Sequence, residues 1–413
     1  MRSEPSDSAW VYAGAERAGI LTRHAEGCTF SYEESYRQGA GRERGSLGAS
    51  LPIEEKTHLY RGANVHPYFA GLLPEGWRLG LVTQNLKASP DDFFSLLLAV
   101  GKDAIGDISV CRPGQQPEDL TPDLLLREEE LDFDEVQDRI RERFQRKDAI
   151  AAIPGVQKKV SAAMISLPVR MREKKRALAW ILKLTPTDYP QLVENEAFFM
   201  QCAKECGLQV APTRLLRDRY GRSGLLVQRF DRVPAVDALR SPMRRIPQED
   251  LCQVLGRFPA DKYHVDCREV LEGLSHCDAA QVQRLYALRL WTFSYLIANG
   301  DLHAKNFSIY KPRPNLGWLL TPAYDLLSTL PYGDARMALR LEGHGAKLTR
   351  HHFLAQASRF GIPAPAIERV IDALLRRLAP CLGRLETIGL EERKTQHLHR
   401  VIETRMKALV SAD

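Results

Sequence analysis

The stretch Asn299-Gly300-Asp301-Leu302-His303-Ala304-Lys305-Asn306 constrains this chain more than any other. It follows an apolar helical run, Leu285 to Ile297, and precedes a strand-like run, Phe307-Ser308-Ile309-Tyr310. A short loop this rich in polar groups, set between two elements that must be buried, is costly unless each group has a partner or a task. Nineteen residues after Asn306 a second carboxylate stands in Pro322-Ala323-Tyr324-Asp325-Leu326. It closes a hairpin predicted over 307–321 around Pro312-Arg313-Pro314. Taken singly, Asp301 and Asp325 read equally well as turn or capping residues. In this order and spacing they point to a reaction centre.

The spacing from Asp301 to Asn306 is that of a phosphoryl-transfer loop, where the Asp orients a hydroxyl nucleophile and the Asn holds a metal. Mg²⁺ takes near-octahedral oxygen ligands, often one or two carboxylates besides nucleotide phosphates. Asn306 and Asp325 meet that need, although the Phe-Gly neighbours usual beside the metal Asp are absent. Lys305 is placed to neutralise the moving phosphoryl group, and His303 to brace the loop. Upstream, Lys183 ends the apolar strand Leu178 to Leu184, where an unpaired ammonium is expensive. A nucleotide-phosphate lysine explains it, with Glu196 on the following helix as its ion partner; a snorkelling edge lysine is the plainer alternative. Pro154-Gly155-Val156-Gln157-Lys158-Lys159 can set backbone N–H groups and lysines over phosphates, but it matches neither standard glycine-loop pattern and reads equally as a turn. Gln228-Arg229-Phe230 stands where a hinge would offer backbone groups to adenine, while Arg229, Asp231 and Arg232 read equally as a structural ion-pair network.

Composition sets the container. At 413 residues the chain exceeds one comfortable core and calls for two or three domains. A net charge of +6, from 58 basic and 52 acidic residues, is too mild to mark a dedicated nucleic-acid binder. The eight cysteines form no CxxC pair, so reduced thiols are expected rather than a disulfide framework or a structural zinc. The start of the chain is polar and the longest apolar run is Leu96 to Val100, which leads to the expectation of a cytoplasmic, membrane-free protein. Short strands and turns are expected up to about residue 110, with helices from Pro74 and Asp91 and a proline-rich linker over 112–123. A charged helix or turn follows over 127–148. A small sheet with one packed helix, Glu194 to Cys206 ended by Gly207, comes next, with a basic turn at Arg170 to Arg176.

These pieces in this order resemble the HipA family of bacterial serine/threonine kinase toxins. The resemblance is carried by Phe69-Ala70-Gly71-Leu72-Leu73-Pro74-Glu75, Leu97 to Ser109, Gly155 to Lys159, Ile181 to Leu184, Asn195-Glu196 and Gln228 to Arg232. It continues in Gln248 to Gln253, Asp261-Lys262-Tyr263, the loop 299–306 and Pro322 to Asp325. It implies an α+β, two-lobed, protein-kinase-like fold with an extra N-terminal α/β subdomain (1–111) and a connecting segment (112–148). A kinase N-lobe (149–232) and an all-helical C-lobe (233–413), hairpin aside, complete it. It implies Asp301 as the catalytic residue with Lys305, and Asn306 and Asp325 as Mg²⁺ ligands. ATP would be held by Pro154 to Lys159, Lys183, Gln228 to Phe230, His303 and Tyr324. It further implies a small helix-turn-helix antitoxin that carries the complex onto operator DNA, and an aminoacyl-tRNA synthetase or similar translation protein as substrate. Two departures stand out. Ala151-Ala152 occupy the stretch where the family carries its self-silencing serine, Ser161 being no positional match, and Ala298 replaces the usual glycine before Asn299. Two other classes stay open at this point: a pseudokinase that clasps an antitoxin–DNA complex, and a kinase for a lipid or small molecule.

Overall fold

Three groups of strands and helices follow one another along the chain, and of their three apolar clusters one is shared between the second group and the third. The structure, a computed structural model, describes residues 7–39, 44–117, 125–126, 131–145, 164–173, 176–233, 243–313 and 316–410. The glycine-containing stretch Pro154 to Lys159, Ala151-Ala152 and Ser161 lie outside the described residues.

The N-terminal unit is a five-stranded antiparallel sheet of order β4-β3-β2-β1-β5. Its strands are β1 (Ser8–Ala13), β2 (Glu16–His24), β3 (Gly27–Tyr32), β4 (Thr57–Arg61) and β5 (Ile108–Cys111). Helices α1 (Glu34–Gln38), α2 (Pro67–Ala70), α3 (Gly76–Leu86) and α4 (Phe93–Val100) complete it. Alternation along β3 turns Cys28, Phe30 and Tyr32 inward. The Ser-Pro-Asp-Asp signal starts α4 as expected, with the Asp92 carboxylate accepting from the Ser95 N–H at 3.2 Å.

The second unit is a sheet of order β6-β7-β8-β10-β9. It comprises β6 (Leu125–Leu126), β7 (Ile165–Glu173), β8 (Arg176–Leu184), β9 (Thr213–Arg217) and β10 (Ser223–Gln228), with α5 (Phe133–Gln145) and α6 (Leu192–Glu205) beside it. The expected basic turn at 170–176 is mostly strand. β7 and β8 pair without interruption from Ile165↔Leu184 to Glu173↔Arg176, and that continuous ladder outweighs the charge of the segment. Helix α6 buries Leu192, Val193, Phe199, Met200 and Cys202, and ends at Gly207, whose φ of +79° is the left-handed geometry of a helix stop.

The third unit is helical around a small sheet: α7 (Leu251–Val254), α8 (Cys267–Gly273), α9 (Ala280–Leu296), α10 (Arg350–Arg359), α11 (Ala364–Leu382) and α12 (Glu392–Leu409). The expected hairpin forms as β14 (Ser308–Tyr310) and β15 (Leu319–Leu320). A third strand, β13 (Gln248–Asp250), joins it, while β11 (Arg232–Val233) and β12 (Arg244–Arg245) pair separately. The eight cysteines are free and buried. Among the described residues no helix is long and apolar enough to cross a membrane.

The N-terminal unit is bonded to the other two. Arg232 donates to the carbonyls of Ala104 (2.7 Å) and Gly106 (2.8 Å), and Arg245 to that of Ile108 (2.7 Å). Gln253 donates to the Tyr68 carbonyl at 2.8 Å. Directional bonds of this kind fix register between units, which apolar packing alone does not.

Candidate active site

A cleft of about 330 Å³ opens where the three units meet. Lys183, Glu196, Gln228, Arg229, Phe230, His303, Lys305, Asn306, Tyr324 and Asp325 line it, together with Glu75, Asp250 and Lys262. Asp301 does not. Its carboxylate is almost fully buried beside the cleft and accepts a hydrogen bond of 2.8 Å from the Tyr263 hydroxyl.

The loop is shaped by its own polar groups. Asn299 Oδ1 accepts from the Asp301 N–H (3.0 Å), and Asn306 Oδ1 accepts from the His303 N–H (3.0 Å). A Cβ on Gly300 would stand 2.7 Å from the Arg336 carbonyl oxygen, so glycine is needed between these two asparagine-braced turns. Ala298 adopts φ +58°, a left-handed conformation costing a non-glycine residue about 1 kcal/mol. The alanine is accommodated with its carbonyl accepting from the Thr329 N–H at 3.0 Å. The Tyr324 hydroxyl bonds Ser308 Oγ (2.6 Å) and donates to the Lys305 carbonyl (2.7 Å), tying the segment that carries Asp325 to the loop. Asp325 follows in a left-handed conformation, φ +56°, which turns its carboxylate back into the cleft.

Lys183, near the end of β8, reaches Glu196 on α6 at 2.6 Å and the carboxylate of Asp325. Asn195, beside Glu196, donates to the Ser328 carbonyl and accepts from the Ser328 N–H, both at 2.9 Å, so α6 also holds the segment after Asp325. Burial opposes the charge on Lys183, but Asp325 and Glu196 outweigh it and hold the ammonium above its ordinary value. Burial raises the Glu196 carboxyl, to about 7, with Lys183 pulling the other way.

Asn306 Nδ2 and Asp325 Oδ2 converge to 3.4 Å. Among the described residues no group of three or more His, Cys, Asp or Glu is placed to hold a metal ion by itself. A carboxylate beside an amide, with a second acceptor capacity on each oxygen, instead suits a hard cation that completes its shell with phosphate and water.

Gln228, Arg229 and Lys305 line the cleft, and the bonds they already make narrow what each can offer a ligand. The N–H groups of Gln228 and Arg229 already donate to the carbonyls of Pro212 (2.9 Å) and Ala179 (3.0 Å), which leaves carbonyls and the Phe230 ring for a base. Arg229 itself is spent on Asp231, with Nε and Nη2 at 2.9 and 2.7 Å; Arg232 Nη1 joins at 2.7 Å and the Gly106 N–H at 3.1 Å. The charged exit of β10 is therefore an ion-pair network binding the N-terminal unit. Lys305 turns toward Asp250 (2.7 Å) and Glu75 (3.2 Å).

Burial, helped by Lys262 and Lys305, drives His303 well below its ordinary value, so it is a neutral ring, packed edge-on to Tyr263 at 5.1 Å. Glu75, Asp250, Lys262 and Tyr263 carry no role in the sequence reading, although they lie in stretches quoted for the family resemblance. The available signal was local only: Asp250 and Gln253 form a capping box that starts α7.

Comparisons with known proteins bear on the fold that carries this cleft. The HipA-like C-terminal domain matches residues 151–381 and the HipA N-terminal domain residues 9–111. A Sinorhizobium fredii protein named "Putative kinase Y4mE" is 30% identical over 378 residues, 86% of each chain. A second from that organism, "Putative kinase Y4dM", is 29% identical, covering 77% of this chain and 76% of its own length. Among solved structures, Shewanella oneidensis MR-1 HipA, determined with HipB and its operator DNA, superposes with a TM-score of 0.74 at 21% identity, covering 97% of both chains. The fold is thus shared across a wide sequence distance.

Proposed function

This chain belongs to the HipA family, and from that premise we propose that it is an ATP- and Mg²⁺-dependent kinase that phosphorylates a Ser or Thr hydroxyl of a protein substrate. The observation that carries the reading is the convergence of Lys183, Glu196, Asn306 and Asp325 in one cleft, with Asp301 beside it on the same loop. In this reading Asp301 orients the substrate hydroxyl and accepts its proton as the oxygen bonds to the γ-phosphorus and the bond to the nucleoside diphosphate breaks. Tyr263, donating to Asp301, holds one carboxylate oxygen in place. Lys183 steers phosphate, and Glu196 fixes the lysine. Asn306 and Asp325 hold Mg²⁺, which when bound offsets the charge spread over the transferring group. The neutral His303 braces the loop without adding charge.

The substrate we assign is a translation protein such as an aminoacyl-tRNA synthetase, and the partner a small helix-turn-helix antitoxin that brings the complex to operator DNA. The family resemblance supports both, and the HipB–operator assembly of the Shewanella relative supports the second alone. The test is transfer from labelled ATP to protein in a cell lysate. Asp301→Ala is expected to lower transfer at least a hundredfold while nucleotide affinity stays within threefold. Undiminished transfer by this variant refutes the role of Asp301.

A further inference from the structure

Glu75 is the N-cap residue of α3, yet its side chain makes no capping bond to that helix. An acid at an N-cap ordinarily accepts from the first-turn N–H groups. Here the following residue, Gly76, takes φ +57°, and the carboxylate points into the cleft. One oxygen meets Lys305 Nζ at 3.2 Å and the other Lys262 Nζ at 2.5 Å. Lys305 is held from its other side by Asp250 at 2.7 Å. Two carboxylates and two ammoniums thus form a quartet without net charge, with about a third of the Glu75 side chain open to the cleft.

Both lysines lead to the catalytic loop. Lys305 belongs to it. Lys262 immediately precedes Tyr263, whose hydroxyl donates to Asp301 at 2.8 Å and whose ring packs on His303. The 3₁₀ turn Pro259–Tyr263 that carries them has no fully buried side chain of its own, so polar contacts anchor it.

We propose that the N-terminal unit is part of the catalytic apparatus, with Glu75 as a positioning residue that fixes Lys305 directly and Asp301 through Lys262 and Tyr263. The inference rests on the kinase reading above. Glu75 keeps its charge throughout the working range: burial favours its neutral form, but Lys305 and Lys262 prevail and hold it down to about 2. Losing that charge leaves Lys305 with Asp250 alone and takes from Lys262 the carboxylate it meets, which slackens the turn bearing Tyr263.

The experiment uses the full chain with Glu75→Gln, Lys262→Gln and the double variant, in steady-state transfer with ATP varied. Each single change is expected to lower kcat at least tenfold and to leave the KM for ATP within twofold. The double variant should lose no more than the worse single one, since both cut the same link. Nucleotide affinity within threefold of wild type shows that a variant is folded. Glu75→Asp, which keeps the charge, should recover part of kcat. Should Glu75→Gln not fold, Lys262→Gln alone carries the same expectation. Losses that multiply in the double variant, a change confined to KM, or unaltered kcat in a folded single variant overturn the proposal. If wild type transfers no phosphate, the kinase reading fails and this inference with it; if wild type transfers and the variants match it, this inference alone fails.

Discussion

Asp231→Ala tests whether the charged exit of β10 is the bolt between the N-terminal unit and the rest. The carboxylate accepts two bonds from Arg229, one from Arg232 and one from the Gly106 N–H, at 2.7 to 3.1 Å. The two arginine side chains are only 12% and 7% exposed. Removing one partner of such a buried pair costs about 3–5 kcal/mol, mostly because the guanidiniums lose the carboxylate they share while staying out of water. Against a typical stability of about 5–15 kcal/mol this is a large fraction. Asp231→Asn keeps the shape and part of the hydrogen bonding, so about half that loss is expected. The pH dependence gives a second handle. Burial favours the neutral acid, but Arg229 and Arg232 prevail and hold Asp231 well below the usual carboxylate range. A folded value below the unfolded one stabilises above the unfolded pKa of about 4, and that stability is lost as pH falls through the folded value. Urea unfolding followed by tryptophan fluorescence should therefore give a constant difference between wild type and Asp231→Ala from pH 8 to 5, shrinking below pH 4. A loss under 1 kcal/mol at pH 7, or one that grows on acidification, refutes the argument.

Two further outcomes bear on the metal site and on the docking of the N-terminal unit. Asp325→Asn should raise the Mg²⁺ concentration for half-maximal transfer at least tenfold, and excess EDTA should stop transfer by wild type; both are read from a Mg²⁺ titration at fixed ATP. Glu249, on β13, accepts from the Ala49 N–H at 3.0 and 3.1 Å, and burial raises its carboxyl to about 8. A folded value above the unfolded one gives stability that is full below about pH 4 and lost as pH rises through 8. Glu249→Gln should accordingly flatten the decline of the melting temperature between pH 5 and 9.

What could be read along the chain divides by sequence distance. The loop 299–306 and Asp325 are legible because their spacing is local and their polar groups interrupt apolar runs. Lys183 and Glu196 are legible because strand and helix adjoin. Strands β4 and β9 escape notice because, half exposed at sheet edges, they carry little apolar alternation. The Lys262–Glu75 contact spans 187 residues, and no pattern near either residue announces it. The Arg229–Asp231–Arg232 cluster reads locally as an ion network, but its carbonyl partners, Ala104 and Gly106, lie more than 120 residues away.

The same distance explains why a net charge of +6 says little about the site. Formally, Glu75, Asp250, Lys262 and Lys305 cancel, whereas Lys183 with Glu196 and Asp325 carries one negative charge in excess. In a cleft walled by protein an uncompensated charge is unfavourable, and it is relieved either by protonation or by a counter-ion. The Glu196 carboxyl, raised chiefly by its burial and further by Asp325, offers the first form of relief. In the kinase reading proposed above, a divalent cation held by Asp325 would be the second, and would leave Lys183 free to meet phosphate. The neutral quartet alongside has no such need, which suits it to holding the loop still while the excess charge next to it is exchanged.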